Sequence, residues 1–321
     1  MSLKSALERV LAEWPVARGQ TYAGHPLGAF IRDEVRREIE EALENRLGLT
    51  VEGSAGRGRW AGVPWAAVFE DVVTDSATRG YYVVYLFHST GTAVHLSLNQ
   101  GTTATRAEFK ANTRPVLRDR AAVMQRRLDD FSERLRVTSI DLGSEDELPA
   151  DYCAGHAIGL TYSAGQLPSN EKLVDDLNVI VAAYRALTFR GGLDPSAEAD
   201  EEDLPQVARS LIELRRYKMH RRIERNPKAA KEAKKYHGVR CQGCSLQFNE
   251  RYGELGDGFI EAHHLRPIAS LEEGTAVSYD VAKDFAVLCP NCHRMIHRTA
   301  DPSDLEGFRR LLCSNETTVD R

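Results

Sequence analysis

Apolar positions recur every three to four residues over 3–14 and again over roughly 27–47, and this spacing predicts two amphipathic helices. The second is rich in i,i+4 pairs of opposite charge. The period then shortens. LTVEG (49–53) and VPWAAVFE (63–70), separated by the glycine-rich turn GRGRW (56–60), read as strands. YYVVYLFH (81–88) and AVHLSLNQG (93–101) read as strand partners with a hairpin turn at Ser89–Gly91. A helix rich in Arg and Glu is expected over about 114–136, an extended, glycine-punctuated stretch over 150–166, and a helix over Asn170–Phe189. Gly191–Pro205 mixes Gly, Pro and acids and reads as a linker, and Leu211–Lys235 reads as a basic helix in which Pro227 marks a break or a start.

These elements imply an α+β fold class. The expected division is a mixed α/β domain over 1–190, an acidic linker over 191–210, and a small second domain over 211–321. Composition fits an ordinary globular chain, with 42% hydrophobic and 28% charged residues in 321. No apolar run is long enough to span a membrane, and the first residues lack the basic and apolar regions of a secretory signal, so a cytoplasmic location is expected. A GxxxxGK[ST] phosphate loop does not occur, which argues against a nucleoside triphosphate requirement.

The formal net charge of −5 argues weakly against nucleic acid, but it hides a sharp local contrast. Residues 215–240 hold eleven basic and two acidic side chains, net +9, just after an acidic cluster at 198–203. Within it Arg215, Arg216, Lys218, Arg221 and Arg222 are the candidate contacts to a nucleic-acid backbone; a merely solvated helix is the commoner fate of such a run.

Four of the six cysteines form two CxxC pairs, Cys241/Cys244 and Cys289/Cys292. Each CxxC turn presents two thiolates on one side, and two such turns close a tetrahedral zinc site; a redox pair is the alternative. Histidines crowd the same segment. His293 and His297 stand i,i+4, so a helix turns both rings one way, as a metal-ligand pair requires. His263 and His264 are adjacent, so a strand sends them to opposite faces. A second structural zinc is the competing account of these histidines.

The run CxxC…GFIEAHHLRP…DFAVLCPNCHRMIH, within about 215–298, resembles the HNH (ββα-metal) nucleases of the McrA type, and its doubled histidine resembles the colicin-type nucleases. The resemblance implies that His264 is a general base, that His263, His293 and His297 hold a catalytic Mg²⁺, Mn²⁺ or other divalent ion, and that the four cysteines hold structural zinc. It also places Asp284 where many members carry Asn, at the position that pins the neighbouring loop.

In the first domain LTVEGSAGRGRWAGVPWAAVF, RGYYVVYLF and HLSLNQGTT resemble the N-terminal specificity domain of the McrB restriction enzymes, over roughly 10–190. That domain takes a flipped modified cytosine into an aromatic pocket; the resemblance puts Trp65, Tyr82 and Leu86 on pocket positions and Arg57 where an aromatic residue is usual. Alternation sets Tyr82, Val84 and Leu86 on one strand face, and Trp65 and Tyr82 as ordinary core aromatics is the alternative. Together the two resemblances imply a modification-dependent endonuclease acting on double-stranded DNA. A homodimer is expected, because one such site cuts one strand and because Phe248, Tyr252 and Phe259 are more apolar surface than a 60-residue unit buries easily. A non-catalytic zinc protein that binds DNA, and a nicking enzyme indifferent to modification, remain open.

Overall fold

The computed structural model describes residues 1–44, 48–193, 219, 223, 227–266, 270–271 and 279–316. The chain divides into two units, Met1–Pro195 and Ser196–Arg321. Among the described residues no helix is long and apolar enough to cross a membrane.

The first unit begins with α1 (Leu3–Ala17), capped by the Ser2 hydroxyl, which accepts from the Ser5 amide. The second predicted helix is one path in three pieces: α2 (Pro26–Phe30), a π-helical turn (Ile31–Val35) and α3 (Arg36–Ala42). Pro26 opens it because a first-turn amide needs no partner. Five strands follow in antiparallel order: β1 (Leu49–Gly56), β2 (Trp60–Glu70), β3 (Tyr81–Phe87), β4 (Ala93–Gln100) and, later in the chain, β5 (Ile158–Ser163). The tight link from β3 to β4 depends on Gly91, whose φ of 71° suits glycine, and where a Cβ would lie 2.2 Å from the Leu11 carbonyl oxygen.

Both faces of this sheet are covered, which is why every residue of YYVVYLF is buried rather than every second one. Tyr81, Val83, Tyr85 and Phe87 join Leu96 and Leu98 against α1 and α7 (Asn170–Phe189). Tyr82, Val84 and Leu86 join Val63, Ala67 and Phe69 on the other face, under Leu142 and Tyr152.

Two sequence expectations are corrected here. The helix expected over 114–136 is shorter: after α4 (Thr102–Phe109), α5 runs Thr113–Arg127 and gives way to a 3-10 turn at Asp129–Phe131. Leu128 and Leu135 turn into the core there, and Val137 then bridges Gly159, so burial of these side chains and pairing of the backbone end the helix. Residues 150–166 are not uniformly extended. Glu147–Gly155 is a helix, α6, started by an acid in its first turn and tolerant of Pro149 there, and only 158–163 is strand.

In the second unit α8 (Pro227–His237) starts at Pro227. Residues Arg215, Arg216, Lys218, Arg221 and Arg222, and most of the expected linker, lie outside the described residues. A short helix α9 (Phe248–Tyr252) precedes β6 (Glu261–His264), which pairs antiparallel with β7 (Phe285–Leu288) after the single turn α10 (Val281–Asp284). α11 (Pro290–Ile296) follows β7 directly, and α12 (Leu305–Glu316) closes the described chain. Among the described residues Ile260, Val287, Leu288, Ile296 and Phe308 cluster with three of the cysteines, and Leu271, Phe285 and Ala286 are buried as well. Tyr252 and Phe259 are half exposed and Leu255 is 88% exposed.

Candidate metal centres and cavity

The two CxxC turns meet. The ligand atoms of Cys241, Cys244, Cys289 and Cys292 all lie within 4.8 Å of one another, and Cys244 Sγ stands 3.8 Å from Cys289 Sγ. A tetrahedron with Zn–S bonds of about 2.3 Å has an S···S edge of about 3.8 Å, so this spacing suits zinc. Two backbone amides point at sulfur, Cys244 N–H to Cys241 Sγ and Cys292 N–H to Cys289 Sγ, as they would toward thiolates. The first turn is tied to β7 by Gln242, whose amide donates to the Val287 carbonyl and whose Oε1 accepts from the Val287 amide.

The protonation pattern points the same way. A hydrogen bond from Cys292 holds the Cys241 thiol down at about 4, whereas burial pushes Cys289 up to about 11. Cys292, donating to Cys241, is pushed up as well. Four sulfurs this close, three of them buried, cannot all ionise unaided, and a divalent cation is what would let them. The four cysteines can therefore bind zinc.

A second group lies on the ribbon. His263 projects from β6 toward His293 and His297 on the α11 side; the three ring centroids are 5.0–5.2 Å apart, and their ligand nitrogens lie within 4.8 Å of one another. The tautomers of two rings are fixed from outside. His263 Nε2–H donates to the Pro302 carbonyl at 2.8 Å, leaving Nδ1 as the lone-pair nitrogen. His293 Nδ1–H donates to Glu261 Oε2 at 2.7 Å, leaving Nε2. Carboxylate-to-imidazole bonding of this kind is the usual outer support of a metal-bound histidine. Glu261 was not among the sequence candidates. The hydrogen bond from His293 comes first among the effects that hold its carboxyl below the usual range. The trio fits a metal ion with three nitrogen donors.

His264 takes the opposite face of β6, fully buried, its ring 5.2 Å from Phe285. Asp284 secures the end of the ribbon next to it. Its carboxylate accepts from Arg266 at 2.9 Å and from the Asp280 amide at 2.8 Å, while its carbonyl accepts from the Leu265 amide at 2.7 Å. Asp284 thus positions the backbone one residue past His264.

In the first unit a cavity of about 870 Å³ opens between β2 and the start of α6. Arg57 and Trp65 line it, and so do Arg59, Trp60, Asp146 and Tyr152, which sequence reasoning missed. Trp60 is held edge-on by Trp14, Tyr22 and His25, and its indole N–H donates to the Gln20 carbonyl. Burial pushes the Tyr152 hydroxyl up to about 12, so it stays a neutral donor. Tyr82 and Leu86 do not line the cavity. They lie behind Trp65, in the buried cluster, with the Tyr82 hydroxyl donating to the carbonyls of Ala77 and Gln100. Arg57 and Arg59 are exposed at the cavity and take part in no ion pair among the described residues.

Among known proteins, the family described as MrcB-like, N-terminal domain matches residues 9–189, more than half of the chain. No curated protein matches it.

Proposed function

This chain belongs to the MrcB-like N-terminal domain family, which ties its first unit to DNA recognition in restriction systems, and on that premise we propose that it is a modification-dependent DNA endonuclease. The first unit reads a modified cytosine flipped out of the duplex, and the second hydrolyses a phosphodiester bond nearby. The observation that carries the nuclease reading is the three-histidine group of His263, His293 and His297, with His264 adjacent to His263 on the same strand.

In this mechanism His264 accepts a proton from water as the water oxygen forms a bond to phosphorus; the bond from phosphorus to the 3′ oxygen breaks. His263, His293 and His297 would hold a divalent ion, which when bound supplies Lewis-acid stabilisation of the phosphate and the departing oxygen. Three imidazoles without a carboxylate ligand suit Mn²⁺ or a later transition ion better than Mg²⁺, which favours oxygen ligands. Glu261 keeps the His293 ring turned so that Nε2 presents its lone pair. Asp284 keeps the backbone after His264 in place.

The cavity supports base reading because it offers flat aromatic faces, Trp60, Trp65 and Tyr152, beside polar groups. Trp60 is braced by three other rings, so Trp65 is the cleaner test. Stacking contributes roughly 1–3 kcal/mol per base, so Trp65→Ala should lose roughly 5- to 150-fold of the preference for modified over unmodified duplex. Its binding to unmodified DNA at low salt should stay unchanged. Competition binding with matched oligonucleotides measures this, and an unaltered preference in a folded variant would remove Trp65 from the reading site.

A further inference from the structure

A reader of modified cytosine has a chemical problem that aromatic walls do not solve. Thymine carries the same ring methyl as 5-methylcytosine and stacks as well, so a pocket that merely takes a methylated pyrimidine would bind thymine in any duplex. The two bases differ at position 4, where cytosine has an amino group that donates and thymine an oxygen that accepts. A carboxylate only accepts, so it can separate them. Asp146 is placed for this. It lines the cavity together with Trp60, Trp65 and Tyr152. A Cβ added at Gly62, a lining residue of β2, would lie 3.0 Å from Asp146 Oδ2, so the carboxylate rests against the strand wall of the cavity. Asp146 stands at the N-cap of α6 yet caps no amide, and its side chain enters no hydrogen bond or ion pair among the described residues. The other lining acid, Glu147, is engaged by Arg106 at 3.0 Å. Tyr152 is a second unpaired group: it is only 8% exposed, yet its hydroxyl makes no hydrogen bond among the described residues. A hydroxyl donates or accepts, so it can meet ring N3 of either base, and the choice between them falls to Asp146.

We propose that Asp146 is the specificity residue of the cavity: its carboxylate accepts from the exocyclic amino group of the flipped base, and so admits modified cytosine and rejects thymine. With thymine in the cavity two acceptors would face each other, each without the water it had bonded outside. The role of Asp146 rests on the base reading proposed above; it does not depend on cleavage.

The test is binding of duplexes that differ in one pyrimidine opposite guanine, measured with the full-length zinc-loaded protein without added Mg²⁺ or Mn²⁺. One set carries cytosine, 5-methylcytosine or thymine; a second carries 5-hydroxymethylcytosine or 5-hydroxymethyluracil. A mismatched thymine is the easier base to flip, so any preference for the cytosine is read against that bias. With Asp146 in place, the modified cytosine should bind about 5- to 150-fold more tightly than its thymine-like counterpart. Asp146→Asn presents an amide that can bond either edge, and the ratio should fall to about one. Glu147→Gln should keep the wild-type ratio, in which the change of net charge cancels. A ratio unchanged in Asp146→Asn, or lost equally in Glu147→Gln, would overturn the role of Asp146, and the base reading would survive if the wild-type protein still preferred modified to plain cytosine. No such preference in the wild-type protein would remove the base reading and the role of Asp146 together.

Discussion

Cys241→Ser or Cys292→Ser is expected to unfold the second unit and leave the first one folded. The reason is the size of the two cores. The cluster around the cysteines holds five non-cysteine buried side chains, Ile260, Val287, Leu288, Ile296 and Phe308. A cluster of that size contributes little beside structural zinc, which is worth roughly 10–16 kcal/mol in small finger domains. That exceeds or matches the whole stability of a typical domain, about 5–15 kcal/mol. Serine cannot replace a thiolate ligand, so the tetrahedron is broken at either position. The first unit draws its own clusters from residues 3–187 and contains none of the four cysteines. Amide hydrogen exchange would show protection lost across 239–308 and kept in β2, β3 and β4. A thiol-release assay that found no zinc in the wild-type protein would remove the basis of the prediction.

His264→Ala is expected to reduce cleavage by about 10²–10⁴-fold, the range in which a positioned general base contributes. Zinc content and DNA affinity should not change. His264 belongs to neither the four-cysteine group nor the three-histidine group, and its ring packs 5.2 Å from that of Phe285. His263→Ala makes the informative contrast. It removes a member of the trio, so its loss of activity should come with weaker binding of the second ion. If His264→Ala cut within a few-fold of wild type, the base would have to be another group.

The clustering of the four cysteines and of the three histidines was legible because its geometry is local. A CxxC turn and an i,i+4 pair on a helix fix ligand directions within a few residues, and pairing the two turns needs only that the ribbon close. The helix Asn170–Phe189 and the strand at 81–87 were equally legible, the one from its period and the other from an unbroken apolar run between turns. Glu261 could have been found: it precedes His263 by two residues and so shares its face of β6. The cavity could not. Its walls come from 57–65 and 146–152, and nothing in either segment alone says that they meet. Alternation correctly grouped Tyr82, Val84 and Leu86 on one face. It could not say that α6 would cover that face and leave Tyr82 and Leu86 behind Trp65. The helix α6 was itself obscured by Gly155, Gly159 and Gly165, which punctuate the segment like a loop.

The central claim is that one chain both senses a modified base and cuts. Its most direct test incubates zinc-loaded protein and Mn²⁺ with plasmids that differ only in cytosine: unmodified, 5-methylated or 5-hydroxymethylated. Nicked and linear products are expected from at least one modified plasmid, with little or no cutting of the unmodified one and none with His264→Ala. Equal cutting of all three plasmids would make the chain a nuclease indifferent to modification. Intact plasmids throughout, with any divalent ion and with DNA demonstrably bound, would contradict the account and leave a zinc-stapled DNA-binding protein.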